Sequence, residues 1–257
     1  MIIKNDTSTR VERPFEFVKI NKGDKLYYKF SDFSIPASFV YNGMPYSVDI
    51  VTDLEQEIDN IEENQPVFSD TGENTLLIRL NNIYVNEQFV LNEFIYSVLL
   101  AITFSIAPKT FEDDERTSNL IEGLKQCLFL EIIQGNIVFS IKDNDDINNY
   151  EVFNKDYVTI SGRKVKVQFI DEKLYNGNED NPIYGMYSLL HNSIFVTTKD
   201  CNNVFIQQTF IHEYLHALLD THGIDTISYD EEEKLVDIYS RAFNEILRMN
   251  GWFMLFK

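Results

Sequence analysis

The chain has 257 residues, 44% hydrophobic and 14% aromatic, enough apolar material for one large core or two smaller ones and too much for a disordered chain. Its formal net charge of −19 repels phosphate backbones, so nucleic acid is not an expected partner. Residues 1–10 lack the apolar run of a signal peptide, and the most apolar stretch, residues 94–107, is too short to span a bilayer, so a cytoplasmic protein without membrane attachment is expected.

In chain order, residues 1 to about 36 hold two strand-like runs, PFEFVKI and KLYYKF, whose place in a fold the pattern leaves open. SFVYNGMPYSVDIVTD (38–53) reads as a β-hairpin and NTLLIRL (74–80) as a strand. The apolar run 94–107 reads as a buried helix, and NLIEGLKQCLFLEII (119–133) as another. The polar segment 142–155 reads as a linker. DYVTISGRKVKVQFID (156–171) is a second hairpin, with Val165, Val167 and Phe169 alternating after a turn at Gly162. YNGNEDNPIYG (175–185) is loop and NSIFVTT (192–198) a strand. VFIQQTFIHEYLHALLDTH (204–222) has helical periodicity and stops at Gly223. SYDEEEKLVDIYSRAFNEILRM (228–249) is a further helix with Leu235, Ile238, Ala242 and Ile246 as its apolar stripe. Ser228 with Glu231, or Asp230 with Glu233, forms a capping box at its start. The two cysteines, Cys127 and Cys201, belong to no metal-type cluster and suit free thiols better than a disulfide.

The order hairpin, strand, helix, helix occurs twice. Gly43, Tyr46, Val48 and Ile50 match Gly162, Val165, Val167 and Phe169 at an offset of 119; the strands match at 118 and the helices NEFIYSVLL and HEYLHALLD at 120. The expected fold is α+β: two domains, 1–141 and 156–257, each a small β-sheet packed on two main helices, related by internal duplication. The competing reading is two unrelated α+β units of similar pattern. In the alignment His212 falls on Asn92, Glu213 on Glu93 and His216 on Tyr96, so the first copy lacks the histidines of the second.

Those histidines carry the chemistry. His212-Glu213-x-x-His216 is an HExxH pattern on a helix, where residues i and i+4 share a face and can converge on one ion. Zinc accepts neutral imidazole, and the glutamate, about 100° round the helix, is placed as a general base. Phe205, Leu215 and Leu219 lie on the histidine face, which sets the metal against the core. The competing role is a pair of core histidines that are merely hydrogen-bonded.

A third ligand must come from elsewhere. His222 lies six residues after His216, but Leu219 stands where a helix-breaking glycine is needed, and in a continuous helix His222 points about 120° away. It reads as a surface histidine at the helix end. On the next helix Glu233 and Asp237 are one turn apart: Glu233 can ligate while Asp237 orients a histidine through its free ring N–H. That spacing favours Glu233, the helical wheel favours Glu232, and we assign Glu233. Tyr184, Tyr187 and Tyr239 are candidates to stabilise an oxyanion, with ordinary packing the competing role for each.

VTISGRKVKVQFID, the Tyr184-Gly185 pair, NSIFVTT, TFIHEYLHALLD and EKLVDIYSRAF together resemble the phage- and prophage-type metallopeptidases of the ImmA/IrrE-like zincin group, over residues 156–252. The resemblance implies a zincin-like domain with zinc on His212, His216 and Glu233, and Glu213 as general base. It implies a zinc-dependent endopeptidase acting in a bacterial or phage-infected cytoplasm on a protein substrate, such as a host or phage regulator. The first half is then a copy without metal. The alternative function is a non-catalytic binding or phage-associated structural protein that retains the fold.

Overall fold

Both long hairpins turn on two residues with positive φ, Asn42-Gly43 (50° and 70°) and Ser161-Gly162 (47° and 77°). Such two-residue turns match the right-handed twist of the strands they join, and glycine takes the left-handed conformation without a Cβ clash. The computed structural model describes residues 18–22, 25–30, 33–51, 75–79, 87–106, 115–141, 156–175, 181–224, 228–250 and 252–256. The expected linker, 142–155, lies outside the described residues, as do residues 1–17.

The first strands, β1 (Val18–Lys22), β2 (Lys25–Lys29) and β3 (Ser34–Pro36), form an antiparallel sheet. β4 (Ser38–Tyr41) and β5 (Met44–Val51) form the first hairpin, and β6 (Thr75–Arg79) pairs parallel to β5. α1 (Glu87–Ile106), α2 (Glu115–Ile133) and β7 (Ile137–Ile141) follow. The second half opens with the hairpin β8 (Tyr157–Ile160) and β9 (Arg163–Ile170), then the short ladder of β10 (Leu174–Tyr175) and β11 (Pro182–Ile183). β12 (Gly185–Ser188) and β13 (Ser193–Thr197) complete a sheet of order β12-β13-β9-β8, with β13 parallel to β9. α3 (Asn203–Thr221), α4 (Tyr229–Asn250) and β14 (Trp252–Phe256) end the chain as described.

The fold is therefore mixed α+β, as expected, with extra strands. β10, β11 and β12 fall in or next to the segment read as loop. They are two to four residues long, too short for a legible alternation. β7 and β14 were not anticipated either, and they pair with each other across the two halves of the chain. Cys127 and Cys201 are both free thiols. No helix among the described residues is long and apolar enough to cross a membrane.

One buried cluster runs through both halves, from Phe39 and Val48 to Val165, Phe210 and Ile246. Polar contacts join the halves as well. Asn42, at the first hairpin tip, donates its N–H to Glu245 of α4 at 2.7 Å. Ser161, at the second tip, donates its N–H to Glu131 of α2 at 2.8 Å. The Tyr239 and Thr103 hydroxyls meet at 2.7 Å between α4 and α1.

Candidate metal centre

α3 begins where the Asn202 side chain accepts the N–H of Phe205, and ends at His222 and Gly223 (φ 67°). Between these caps one stripe of the helix, including Phe210, Tyr214, Ala217 and Leu218, is buried in the core. The neighbouring stripe, Phe205, Thr209, His212 and His216, lines a cleft of about 1220 Å³. The histidines thus border the core rather than point into it, while Leu215 and Leu219 are buried. α4 runs antiparallel to α3, with Glu232 opposite His216 and Asn244 opposite Val204. Its start is the Ser228–Glu231 capping box: Glu231 accepts from both the N–H and the hydroxyl of Ser228. That leaves Glu232 and Glu233 to face α3.

His212, His216 and Glu233 come together. The two Nε2 atoms are 3.2 Å apart, and each faces one oxygen of the Glu233 carboxylate at 3.4 Å. Ligands in a tetrahedron at about 2.0–2.1 Å from zinc lie roughly 3.3 Å from one another, so the two imidazoles are already spaced as a ligand pair. Glu232 stands outside this group. It holds Nδ1 of His216 at 2.6 Å, so that ring turns Nε2 toward the cluster. Asp237, expected to orient a histidine, is instead engaged by Arg241 through Nε at 3.0 Å and a terminal nitrogen at 2.8 Å. Burial lowers the pKa of His212, with His216 adding to the effect, and so favours the neutral form that ligates a metal. Burial also pulls on His216, but its bond to Glu232 and the nearby carboxylates outweigh it and leave that pKa raised.

Glu213 is buried beside the cluster and accepts the N–H of Tyr187 at 2.6 Å. Burial pushes its pKa up to about 7, against the lowering effects of His216 and of the Tyr187 bond. The approach of β12 that makes this bond depends on Gly185. A Cβ there would stand 2.6 Å from Glu213 Oε1 and 2.6 Å from a methyl carbon of Thr209.

His222 lies away from the cluster. Its Nε2 meets the hydroxyl of Ser161 at 3.0 Å and the wholly buried carboxylate of Glu131 at 3.1 Å, so it is a link between the halves and not a surface residue. Of the expected oxyanion candidates, Tyr239 is buried against Thr103, away from the cleft. The Tyr187 hydroxyl donates to Asp220 at 2.9 Å, and Tyr184 packs edge-on against Phe205. Tyr229, exposed in the cleft, was not anticipated, although its place one turn before Glu233 puts it on the same helix face.

The helices of the first half are built differently. Lys125, nearly buried, sets its ammonium 4.7 Å from the centroid of the Tyr96 ring and 2.6 Å from Glu122. Among the described residues, His212, His216 and Glu233 form the single His/Cys/Asp/Glu group able to hold a metal ion. No family model, curated protein or solved structure matches the chain.

Proposed function

We propose that the chain is a zinc-dependent endopeptidase similar to the ImmA/IrrE-like group, with a host or phage regulatory protein as substrate. The observation that carries the proposal is the convergence of His212, His216 and Glu233 beside a separately held Glu213 in one open cleft. Two imidazoles and one carboxylate are the donor set of a catalytic zinc site that keeps a position open. When bound, zinc supplies a Lewis acid and a water of lowered pKa. Glu213, its carboxylate held by the Tyr187 N–H, would serve as the proton carrier, taking a proton from the attacking water and giving it to the leaving amine. Glu232 keeps His216 in the ligating orientation. Tyr229, beside Glu233, is positioned to donate a hydrogen bond within the cleft.

The support for a polypeptide substrate is β12. It is an edge strand that pairs with β13 on one side, and it lines the cleft with Gly185 and Tyr187. An extended segment can add to such an edge through its own backbone.

We also read the first half as a diverged copy of the second. The strand registers support this: Ser47 opposes Thr75 and Lys166 opposes Ser193, at the same offsets of 119 and 118 that relate the two sequences. β7 and β14, the strands that follow the two helices of each half, also pair antiparallel with each other. In the first copy the Lys125 ammonium supplies a fixed positive charge beside Tyr96, the counterpart of His216.

Metal analysis of the purified protein beside Glu213→Gln tests the activity. About one zinc per chain in both, with proteolysis lost in the variant, is the expected result. Stoichiometric zinc without hydrolysis of any protein tried would favour a binding or phage-associated structural role. Failure to take up zinc after reconstitution would overturn the site.

A further inference from the structure

The cleft differs in chemistry on the two sides of the metal cluster. Phe205 precedes His212 by seven residues, roughly 10 Å along the helix, and Asp220 follows His216 by four, roughly 6 Å. Toward the Phe205 end the cleft is aromatic, with Tyr184 set edge-on to Phe205 at 4.7 Å between ring centroids. Among the described residues, the one arginine or lysine lining the cleft, Arg241, is paired with Asp237. Beyond His216, toward the Asp220 end, the charged residues among the described lining are carboxylates. Asp220 is exposed, with one oxygen accepting the Tyr187 hydroxyl, and Glu232 stands opposite on α4. Arg163 bears on Tyr187 through space but does not line the cleft. The net charge of −19 adds a field that draws basic partners and repels acidic ones.

We propose that the cleft selects its substrate by two contacts on opposite sides of the cleaved bond: a bulky apolar side chain against Tyr184 and Phe205, and a lysine or arginine against Asp220. This rests on the peptidase reading, with the cleaved bond lying at the cluster between the two contacts. An extended peptide on the β12 edge rises about 3.3 Å per residue, so the two side chains stand several residues apart. The Tyr187 hydroxyl fixes the Asp220 carboxylate at the wall of the cleft, which makes Asp220 a specificity residue rather than part of the proton-transfer machinery.

Binding and cleavage test this separately. The zinc-loaded Glu213→Gln protein is titrated with fluorescent decapeptides carrying Phe and Arg, Phe and Glu, or Ser and Arg at the two positions, and binding is read by anisotropy. The Phe/Arg peptide is expected to bind about tenfold more tightly than the Phe/Glu peptide, the difference shrinking as salt is raised. Asp220→Asn should remove most of that difference and Asp220→Lys should reverse it, with zinc content unchanged. Phe205→Ala should reduce the preference for Phe over Ser. Absence of binding, absence of a charge preference, or a preference undiminished in both Asp220 variants would overturn the proposal. The protein with Glu213 intact is then assayed for cleavage of the same peptides. Selective binding without cleavage would reject the peptidase reading and leave the selectivity standing. Cleavage indifferent to charge would do the reverse.

Discussion

Glu232 and Glu233 are adjacent in the chain and serve different atoms of the same imidazole. Successive residues on a helix diverge by about 100°, so the two neighbouring carboxylates approach the ring from different sides. Glu233 faces the two Nε2 atoms, and Glu232 reaches round to Nδ1 of His216. Replacing Glu233 with Gln should therefore abolish tight zinc binding. Glu232→Gln should keep the stoichiometry and weaken affinity by roughly 10–100-fold, measured by competition with a chelator. Equal effects of the two changes would contradict the division. Gly185 is the second residue with a sharp expectation. In Gly185→Ala the new methyl collides with Glu213 and Thr209 and must push β12 or the carboxylate aside. If the proposed peptidase activity holds, zinc content should persist while proteolysis falls by about 100-fold, the cost of displacing a general base by around 1 Å. Full activity in this variant would mean that the close approach of β12 to Glu213 is not needed.

At the scale of elements, α3 and α4 were legible because their periodicity, the Ser228–Glu231 box and the stop at Gly223 are local signals. β12 was not, because a four-residue edge strand is specified by its neighbours β13 and α3 rather than by its own alternation. The end of α3 shows the same limit. The helix does stop at His222, but the role of that histidine is set by Glu131, 91 residues earlier. The Glu131 carboxylate is wholly buried and accepts from the N–H and hydroxyl of Ser161 and from the Asn136 amide, with His222 also in contact. Glu131→Ala strands these groups without a partner and should cost about 3 kcal/mol in urea denaturation. Its counterpart contact at the other hairpin tip, from Asn42 to Glu245, is exposed, and Glu245→Ala should cost less than about 1 kcal/mol. A small effect for Glu131→Ala would show that the second hairpin tip is held by packing alone.

For the whole molecule, the two halves share their core and complete each other's edges. β14 has β7 as its sheet partner, each hairpin tip is bonded to a helix of the other half, and one buried cluster spans both. The full chain should therefore unfold in one cooperative transition, with the fluorescence of its single tryptophan, Trp252, and far-ultraviolet dichroism coincident. Residues 156–257 alone lose the β7 edge, Glu131 and half of the core, and should not reach a cooperative fold. A sharp thermal transition of that fragment would show that the second half is autonomous and the first an accessory.

The sequence by itself determined what depends on short separations. The i, i+4 spacing of His212 and His216, the intervening Glu213, the Asn-Gly and Ser-Gly turns and the periods of the main helices are all written within a few residues, where backbone geometry is the same in any fold. Tertiary structure decided what depends on distant partners. The second carboxylate at His216 is 16 residues away, the N–H that holds Glu213 is 26 away, and the clasp from Asn42 to Glu245 spans 203. Side-chain types and their periods state which face of an element is apolar. Which acid then meets which histidine depends on how two packed elements are set against each other to within about an ångström, and that is decided only when the whole core closes.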